Sequence, residues 1–238
     1  MKIALIGYGK MGRTIEKIAL QKGHEIILKI DLDNGYELTA ENLTKADVAI
    51  EFTGPASAAD NLRRCIDAGV PVVCGSTGWL NEYESIKKAV EKKDGTFLYA
   101  SNFSIGVNIF FELNKKLASL MAAHPDYRVS IRETHHTQKK DAPSGTAITL
   151  AEQVLENISN LKSWVNHPSS SPEELPITSE RLDPAPGTHE VIYRSAIDDL
   201  EIKHTAHSRE GFASGAVLAA EYICHKKGIF SMKDVLGF

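Results

Sequence analysis

The chain has 238 residues and a formal net charge of −4, from 27 Lys and Arg and 31 Asp and Glu. That length accommodates one large or two modest domains with their own cores, and the hydrophobic fraction of 42% is ordinary for a soluble globular protein. The balanced charge gives no reason to expect a nucleic-acid or membrane partner, and the three cysteines have no zinc-ligand spacing.

The N-terminal residues and the cysteines bear on location. The chain enters a strand-like run at Ile3, which leaves no room for a signal or transit peptide, and no apolar run is long enough to cross a bilayer. Cys65, Cys74 and Cys224 are interpreted as small apolar residues in a reducing compartment. We therefore expect a cytoplasmic protein.

Short apolar runs alternate with amphipathic stretches along the first part of the chain. The runs predict strands, and the stretches between them have the spacing of helices that cover a buried sheet. Such an alternation predicts an α/β fold, a Rossmann-type parallel sheet with right-handed crossovers. The predicted strands are residues 3–6, 25–30, 47–52, 70–73 and 96–100, and the predicted helices run from Met11 to Gly23 and over 57–68 and 82–93.

The pattern changes after Asn102. Residues 106–124 predict one long helix, residues 127–132 alternate strictly like a strand with one covered face, and residues 146–158 are amphipathic. Residues 159–187 are rich in Ser, Pro and Asn and predict a loop. A hairpin is predicted from residues 190–196 and 201–205, and a helix over 211–227 closes the chain. The middle of the chain is therefore predicted to be a mixed α+β domain.

A glycine-rich turn follows the first predicted strand. Gly7-Tyr8-Gly9-Lys10-Met11-Gly12 is a GxGxxG pattern that opens the first helix, which is the context in which it binds a dinucleotide. The glycines permit a tight turn, close approach of a pyrophosphate and close helix packing, and the helix N-terminus attracts the phosphates. Asp31, at the end of the second strand, is placed to bond the adenosine ribose, with Asp33 as the alternative. A plain strand–helix turn with solvated acids would be the simpler explanation.

Small and polar residues also follow three later strands. Because ligands bind at the carboxyl ends of the strands in an open parallel sheet, these clusters predict one coherent cofactor site together with the glycine turn. The clusters are Phe52-Thr53, Gly75-Ser76-Thr77 and Ser101-Asn102-Phe103-Ser104.

Residues 133–146 are the most informative stretch for chemistry. His135 and His136 can act as acid–base groups near neutral pH, and Lys139 adds positive charge. Ser144-Gly145-Thr146 begins a helix, where an anion such as a carboxylate is favoured. Together they predict a pocket for an acidic small molecule that receives a proton, and a basic surface loop with a helix cap is the alternative. No metal site is predicted, because adjacent histidines point apart on a strand.

The same stretch resembles the signature of the 4-hydroxy-tetrahydrodipicolinate (dihydrodipicolinate) reductase family. The resemblance spans nearly the whole chain, and Gly75 to Gly78 and Ser101 to Asn108 support it in the right order. It implies a reductase that transfers a hydride from NAD(P)H to this ring substrate, giving tetrahydrodipicolinate in the diaminopimelate route to lysine. The close and specific match covers Glu133-x-His135-His136-x-x-Lys139-x-Asp141-Ala142-Pro143-Ser144-Gly145-Thr146-Ala147.

The resemblance also implies a domain organisation. Residues 1–104 and 210–238 would form the dinucleotide-binding Rossmann domain, and residues 105–209 would form a substrate-binding domain whose sheets assemble a homotetramer. His135 would be the proton donor and Lys139 its partner in protonation and binding. The substrate, a small dicarboxylate ring, would be held by His136, Lys139 and Ser144-Gly145-Thr146. The cofactor would be held by Gly7 to Gly12, Asp31, Gly75 to Thr77 and Ser101 to Ser104.

The residues after the second strand bear on cofactor choice. The sequence reads Ile30-Asp31-Leu32-Asp33-Asn34-Gly35, with two acids and no base, so that the 2′-phosphate of NADPH would meet like charge. The ribose of NADH would find a hydrogen-bond acceptor instead. We therefore predict a preference for NADH, with NADPH accepted because Lys10 compensates in part.

Two departures from the family and two rival functions stand beside this interpretation. The segment between the second and third strands is short, and the loop 181–189 is altered around Arg181 and His189. The rivals are another dehydrogenase of amino-acid metabolism on the same fold and a non-catalytic NAD-binding sensor. A semialdehyde enzyme needs an activated cysteine, for which Cys74 has no evident base, and a sensor has no need of a His–His–Lys segment.

Overall fold

The computed structural model describes residues 1–238 and separates into two compact units. The first unit comprises Met1–Ile105 and Arg209–Phe238, and the second comprises Gly106–Ser208. The chain therefore leaves the first unit once and returns to it near the C-terminus. No helix is long and apolar enough to span a membrane.

The first unit begins with strands that alternate with helices, as the sequence pattern predicts. Its apolar runs form strands because they are buried on both faces, and its amphipathic stretches form helices that cover them. In chain order the elements are β1 (Lys2–Ile6), α1 (Lys10–Gln21), β2 (Glu25–Ile30), α2 (Ala40–Leu43), β3 (Val48–Glu51), α3 (Ala58–Asp67), β4 (Val72–Cys74), α4 (Tyr83–Lys92) and β5 (Thr96–Tyr99), with short 3-10 helices at Gly35–Glu37 and Leu80–Glu82.

The second unit contains two long helices and five strands. The long helices are α5 (Ile105–Met121) and α6 (Gly145–Asn157), which Ser144 caps by accepting a hydrogen bond from the backbone N–H of Ala147. The strands are β6 (Arg128–His135), β7 (Ser163–Val165), β8 (Glu174–Arg181), β9 (Gly187–Arg194) and β10 (Asp199–Ala206).

The C-terminal segment completes the first unit. It consists of α7 (Glu210–Ile223), β11 (Gly228–Phe230) and α8 (Met232–Leu236). The six strands of this unit are all parallel and lie in the order β11-β5-β4-β3-β1-β2. The predicted α/β fold with a Rossmann-type parallel sheet is therefore confirmed.

The second sheet is mixed, as the alternating pattern of the middle of the chain predicts. Its order is β10-β9-β6-β8-β7, with β9 antiparallel to its neighbours β10 and β6, and with β8 parallel to β6 and β7. One face of β6 is buried, and Val129 and Ile131 on it pack in a core with Leu150 and Val154 of α6. The strand therefore exposes one face and buries the other, which is why its residues alternate in polarity.

Several predicted boundaries were wrong. Residues 159–187 are not a loop, because β7 and β8 lie within them, and Leu175 and Ile177 of β8 are fully buried core residues. The turn-forming Ser and Pro residues between these strands hid the short alternation. Strand β6 continues beyond residue 132 through His135, and α7 ends at Ile223, after which β11 adds a three-residue edge strand.

The close approach of α7 to the loop after β5 gives a stability prediction. A Cβ atom at Gly215, within α7, would lie 1.7 Å from the carbonyl oxygen of Phe103, so that helix or loop must move. We expect Gly215→Ala to lower the free energy of unfolding by about 1–3 kcal/mol, as overpacking does. Urea denaturation of both proteins measures the difference.

A matched control lies one turn earlier in the same helix. A Cβ atom at Gly211 would meet only the Ser104 hydroxyl, at an ordinary 3.6 Å. Gly211→Ala should therefore be neutral or stabilise the protein by up to about 1 kcal/mol, because alanine favours a helix. Equal stability of the two variants would show that α7 can move away from the loop at no cost.

Candidate active site

A cleft opens at the carboxyl edge of the first sheet, where the chain reverses its direction of strand order. Strand β1 lies between β2 and β3, so that the connection leaving β1 toward β2 and the connection leaving β3 toward β4 diverge there, and such a crevice is where open α/β sheets bind ligands. The cleft has a volume of about 670 Å³. It is lined by Gly7, Gly9, Ile30, Asp31, Leu32, Gly35, Leu38, Phe52, Thr53, Gly54, Pro55, Ala56, Ser57, Asp60, Asn61 and Arg64.

The glycine turn has the geometry of a phosphate-binding loop. Gly7 has a φ of 99°, and a Cβ atom there would lie 2.3 Å from the carbonyl oxygen of Phe52. A Cβ atom at Gly12 would lie 2.3 Å from the carbonyl oxygen of Gly7, so that α1 can pack on the turn only without a side chain. Nothing lies within 4 Å of a Cβ atom at Gly9, which leaves the backbone open to a ligand. The turn therefore fits a dinucleotide pyrophosphate.

Aromatic packing joins the ends of three strands beside this turn. A Cβ atom at Gly75, after β4, would lie 2.2 Å from the ring of Phe52, after β3. The Phe52 ring centroid is 5.6 Å from that of Phe103, which follows β5. Ser76 is buried and its hydroxyl has no hydrogen-bond partner, so that it could pair with a bound ligand. The clusters recognised in the sequence thus meet at one edge of the sheet.

Only some of the predicted cofactor residues line the cleft itself. Gly7, Gly9, Asp31, Phe52 and Thr53 do, and Asp33 does not. The remaining predicted residues lie outside its lining, namely Lys10, Met11, Gly12, Gly75, Ser76, Thr77, Ser101, Asn102, Phe103 and Ser104.

The charged residues Asp60 and Arg64 of α3 line the cleft and were missed by sequence reasoning. Arg64 donates a hydrogen bond to the carbonyl oxygen of Leu38 at 3.1 Å, which directs its guanidinium toward the segment after β2. Both residues look like ordinary solvated helix residues in the sequence, because only the packing of α3 against β3 and β4 brings them to the ligand edge.

Buried Glu51 holds the turn after β3 that lines the cleft. Its Oε1 accepts the backbone N–H of Thr53 at 3.0 Å, and the thiol of Cys74 donates to its Oε2 at 3.2 Å. Burial and the neighbouring Glu51 carboxylate raise the pKa of Cys74 well above its usual range. This thiol is therefore a poor nucleophile, and it does not support the rival semialdehyde chemistry.

A second site lies on the buried face of the sheet of the second unit. In the strand register Glu133 of β6 stands between His189 of β9 and Ser179 of β8. The next buried position of β6 is His135, which pairs with Arg181 of β8. Glu133, His135 and His189 expose 0%, 7% and 5% of their surfaces, so that this is a polar layer within a core.

Hydrogen bonds converge on the carboxylate of Glu133. Its oxygens accept the backbone N–H of Ser144 at 3.0 and 3.2 Å and the hydroxyl of Ser179 at 2.8 Å. Its Oε2 lies 3.2 Å from Nε2 of His135 and 3.6 Å from Nε2 of His189. Burial alone would raise the pKa of Glu133, but these hydrogen bonds outweigh burial and hold the pKa well below its usual range.

The two buried histidines are in direct contact. Nε2 of His135 lies 3.3 Å from Nε2 of His189, which is also 3.1 Å from the hydroxyl oxygen of Ser144. Burial is the main cause that lowers the pKa of His189, and it therefore favours the neutral ring there. Gly187 makes room for the pair, since a Cβ atom there would lie 3.0 Å from Cε1 of His135.

The loop after His135 positions the predicted substrate residues. Nζ of Lys139 is 2.7 Å from an Asp141 carboxylate oxygen, and Arg181 donates to the carbonyl oxygens of Lys139 at 3.2 Å and Asp141 at 2.5 Å. Arg181 thereby clamps this loop, a role that sequence reasoning did not assign. His136 is half-buried on the same loop.

The start of α6 is open, as a site for an anion requires. Gly145 is exposed, with nothing within 4 Å of a Cβ atom, and Thr146 is half-buried beside it. Ser144 is buried and turns its hydroxyl inward to His189. Its side chain is therefore part of the polar layer, and the backbone of the helix start is the part left to bind a carboxylate.

The three buried polar residues have a grouping that could hold a metal ion. The candidate ligand atoms of Glu133, His135 and His189 all lie within 4.8 Å of one another. The spacing of adjacent His135 and His136 did not reveal this group, because its third member comes from a different strand 54 residues away.

Comparison with known proteins identifies the family. Residues 1–103 match the family described as dihydrodipicolinate reductase, N-terminus, and residues 106–236 match dihydrodipicolinate reductase, C-terminus. A 4-hydroxy-tetrahydrodipicolinate reductase of Christiangramia forsetii is 52% identical, covering 99% of this chain and 98% of the relative. One of Methanosarcina mazei is 35% identical, covering 99% of this chain and 89% of the relative.

A solved structure agrees with the sequence comparison. The dipicolinate-bound dihydrodipicolinate reductase of Paenisporosarcina sp. TG-14 superposes with a TM-score of 0.77 at 26% identity, covering 97% of each chain. The resemblance carried by the His135 to Thr146 segment is thereby confirmed. This chain belongs to the 4-hydroxy-tetrahydrodipicolinate (dihydrodipicolinate) reductase family.

Proposed function

We propose that this chain is an NAD(P)H-dependent reductase that converts 4-hydroxy-tetrahydrodipicolinate, or dihydrodipicolinate, to tetrahydrodipicolinate in the diaminopimelate route to lysine. The observation that carries the proposal is the buried Glu133–His135–His189 group, joined through Ser144 to the open start of α6, in a chain that matches the family over both units. We place the reaction in the cytoplasm, where reduced nicotinamide cofactors are regenerated and free thiols such as Cys65 are stable.

The substrate is a ring that carries two carboxylates, and the second unit offers groups that can hold them. The backbone at Gly145 and Thr146 lies at a helix N-terminus, where an anion is stabilised by about 0.3–1 kcal/mol or more. Lys139 and His136 supply side-chain donors on the adjacent loop. Asp141 pairs with Lys139, and a substrate carboxylate can take its place. A planar dicarboxylate therefore finds donors from two directions.

The cofactor belongs to the first unit. Gly7, Gly9 and Gly12 would hold the pyrophosphate, Asp31 the adenosine ribose, and the Gly75 to Thr77 and Ser101 to Ser104 segments the nicotinamide end. When bound, the reduced nicotinamide supplies the hydride. His135 would then deliver a proton to the ring carbon next to the one that is reduced, and Lys139 would stabilise the carboxylate side.

An assay with the ring substrate tests the proposed reaction. Purified protein should oxidise NADH or NADPH when the fresh product of the preceding synthase is present, and should not oxidise either cofactor without it. The loss of absorbance at the reduced-nicotinamide band measures the rate. No loss above background with fresh substrate would contradict the assignment, and would leave the sensor as the surviving alternative.

The His135→Gln variant is the matched control for that assay. If His135 is the acid, kcat should fall by roughly 10²–10⁴-fold, while nucleotide affinity should remain because His135 lies in the other unit. Near-normal kcat would transfer the role to His136 or to water.

We also propose that NADH is the preferred cofactor and that NADPH is accepted. Asp31 and Asp60 both line the cleft near the ribose end, and Arg64 is the basic residue of that lining. A charge-assisted contact contributes about 1.5–3 kcal/mol, and the segment Ile30 to Gly35 supplies no base for the 2′-phosphate, so that we expect a kcat/KM ratio of roughly ten to a hundred in favour of NADH. Steady-state kinetics with both cofactors at saturating ring substrate measures the ratio.

Two variants locate the source of the preference. Leu32→Arg, at a 98% exposed side chain after β2, should narrow the ratio by providing a partner for the 2′-phosphate. Arg64→Gln should leave the kinetics with NADH nearly unchanged. The local charge argument would be contradicted if the unmodified chain used both cofactors equally and Arg64→Gln lowered kcat/KM for NADPH alone. That result would assign the binding of the 2′-phosphate to Arg64.

A homotetramer, assembled through the second sheet, is the state that we propose in solution. Strand β10 is an edge strand with one unpaired side, and Ile197 in the turn before it and Leu200 within it expose 91% and 39% of their surfaces. Light scattering after size exclusion should give four times the chain mass of 26.1 kDa. Ile197→Asp with Leu200→Asp should lower that mass, and a monomer for the unmodified protein would rule the assembly out.

A further inference from the structure

A row of polar side chains crosses the buried face of the second sheet. In register from edge to centre it consists of His204 on β10, His189 on β9, Glu133 on β6 and Ser179 on β8. The rows before it are apolar, and Ile131 pairs there with Val191 and Ile177. An ionised carboxylate in such a position is costly unless donors surround it. Packing alone therefore does not explain why an ionised glutamate, with its hydrogen-bond donors, occupies position 133.

The two ring nitrogens of His135 have different neighbours. Its Nε2 is directed inward, 3.2 Å from Oε2 of Glu133 and 3.3 Å from Nε2 of His189. Its Nδ1 lies on the side of Gly187, where a Cβ atom would stand 3.2 Å away, so that the ring fits there only because residue 187 has no side chain. The two nitrogens thus have different surroundings, one held by the Glu133 carboxylate and one beside the backbone of a glycine.

We infer that Glu133 and His189 are positioning residues for the proton donor: Glu133 holds the N–H of His135 at Nε2, and His189 packs against that bond, so that Nδ1 is the nitrogen that gives its proton to the substrate. The same carboxylate fixes the start of α6 through the backbone N–H of Ser144. The inference rests on the proposed function and assigns roles to two residues within it.

The proton transfer balances on this arrangement. The Nδ1–H bond of the His135 imidazolium breaks, its electron pair stays on Nδ1, and the proton joins the electron pair that hydride addition leaves on the ring carbon. His135 is then neutral with its remaining proton on Nε2, donated to Glu133. Solvent water returns a proton to Nδ1 before the next turnover.

The charges around His135 agree with this assignment. Glu133 faces it from its own strand, Asp141 lies on the adjacent loop and is paired with Lys139, and Arg181 on β8 stands 3.9 Å from the far oxygen of the Glu133 carboxylate. His189 and, behind it, His204 face it from β9 and β10, and burial is the main cause that lowers the pKa of both rings. Lys139 approaches from the loop and disfavours a charged His189. These neighbours therefore favour a neutral ring at His189, and His135 is the histidine whose nitrogen lies closest to the Glu133 carboxylate.

A zinc ion at the same three residues is the competing explanation. The three ligand atoms are 3.2, 3.3 and 3.6 Å apart, close to the separation of about 3.3 Å expected for ligands on a tetrahedral ion with bonds of about 2.0–2.1 Å. Two observations weigh against an ion. Histidine ligands almost always donate their other ring N–H, yet Nδ1 of His189 is buried without a partner. The carboxylate of Glu133 also already has donors from Ser144 and Ser179.

The first experiment replaces the charge of Glu133 and keeps its shape. Glu133→Gln should lower kcat by between about 10²-fold and about 10⁴-fold, the upper value being typical when the buried carboxylate beside a catalytic histidine becomes an amide. Because a carboxylate 3.2 Å away favours the imidazolium, the alkaline fall of kcat should also move to lower pH. Glu133→Asp, which keeps the charge, should hold the alkaline fall in place. The NADH dissociation constant should not change in either variant.

A buried glutamate on the other face of the same sheet provides the control. Glu190, which is 8% exposed and pairs with Lys203, lies next to His189 in β9. Glu190→Gln should leave kcat and the pH profile unchanged. If Glu133→Gln does not fold, as judged by circular dichroism, His189→Gln carries the test. It should lower kcat by at least about tenfold at unchanged NADH affinity.

The outcomes separate this inference from the proposed function. If the unmodified chain does not oxidise NADH with the ring substrate, the proposed function fails. If the unmodified chain is active but Glu133→Gln keeps its kcat and its pH profile, the positioning role fails alone. Stoichiometric zinc in the purified protein, with activity lost on chelation, would overturn the positioning role in favour of a metal site. Less than a tenth of an equivalent of zinc and no effect of chelator support it.

Discussion

The buried, ionised carboxylate of Glu133 is the interaction on which the site of the second unit depends. A charge without solvent is stable only when donors surround it, and here they come from separate segments. His135 donates from the same strand, Ser179 from a neighbouring strand, and the backbone of Ser144 from the start of α6. Each donor is held by the same charge, so that strand register, helix start and histidine orientation are fixed together. The orientation of the candidate acid His135 and the position of the candidate anion site at the start of α6 therefore both depend on the hydrogen bonds to Glu133.

The first unit is organised by close backbone contact instead of charge. At Gly7, Gly12 and Gly75 a side chain would overlap a neighbouring main chain or ring, so that β1, α1 and the ends of β3 and β4 approach more closely than ordinary residues allow. The open space that this leaves is above Gly9, where nothing lies within 4 Å of a Cβ atom. The cleft therefore depends on glycines, which have no side chain, whereas the second site depends on hydrogen bonds to the charged carboxylate of Glu133.

This difference explains what the sequence could and could not predict. The glycine turn and the His135 to Thr146 segment are local patterns, and they can be interpreted without knowing which strands pair in the sheets. His189 and Arg64 are recognisable only after register and packing bring them to His135 and to the cleft, because each is distant in sequence from its partners. Strand β8 was hidden for a related reason, since its alternation of Leu175 and Ile177 is short and follows turn-forming residues. Periodicity reports local burial, and it carries no information about which strand lies beside which.

The polar row also specifies the fold that presents it. A slip of one residue between β6 and β9 would turn Glu133 to the outer face and leave His189 and the Ser144 N–H buried without a partner. An unsatisfied buried donor costs about 1–3 kcal/mol, so that every slipped register is disfavoured by several such losses at once. Apolar residues in the same row would tolerate a slip more readily, even where they matched the stability of the polar network. The contacts that orient His135 therefore also exclude incorrect strand pairing. Replacing these polar residues would remove the catalytic groups and would also leave the strand register less strictly defined.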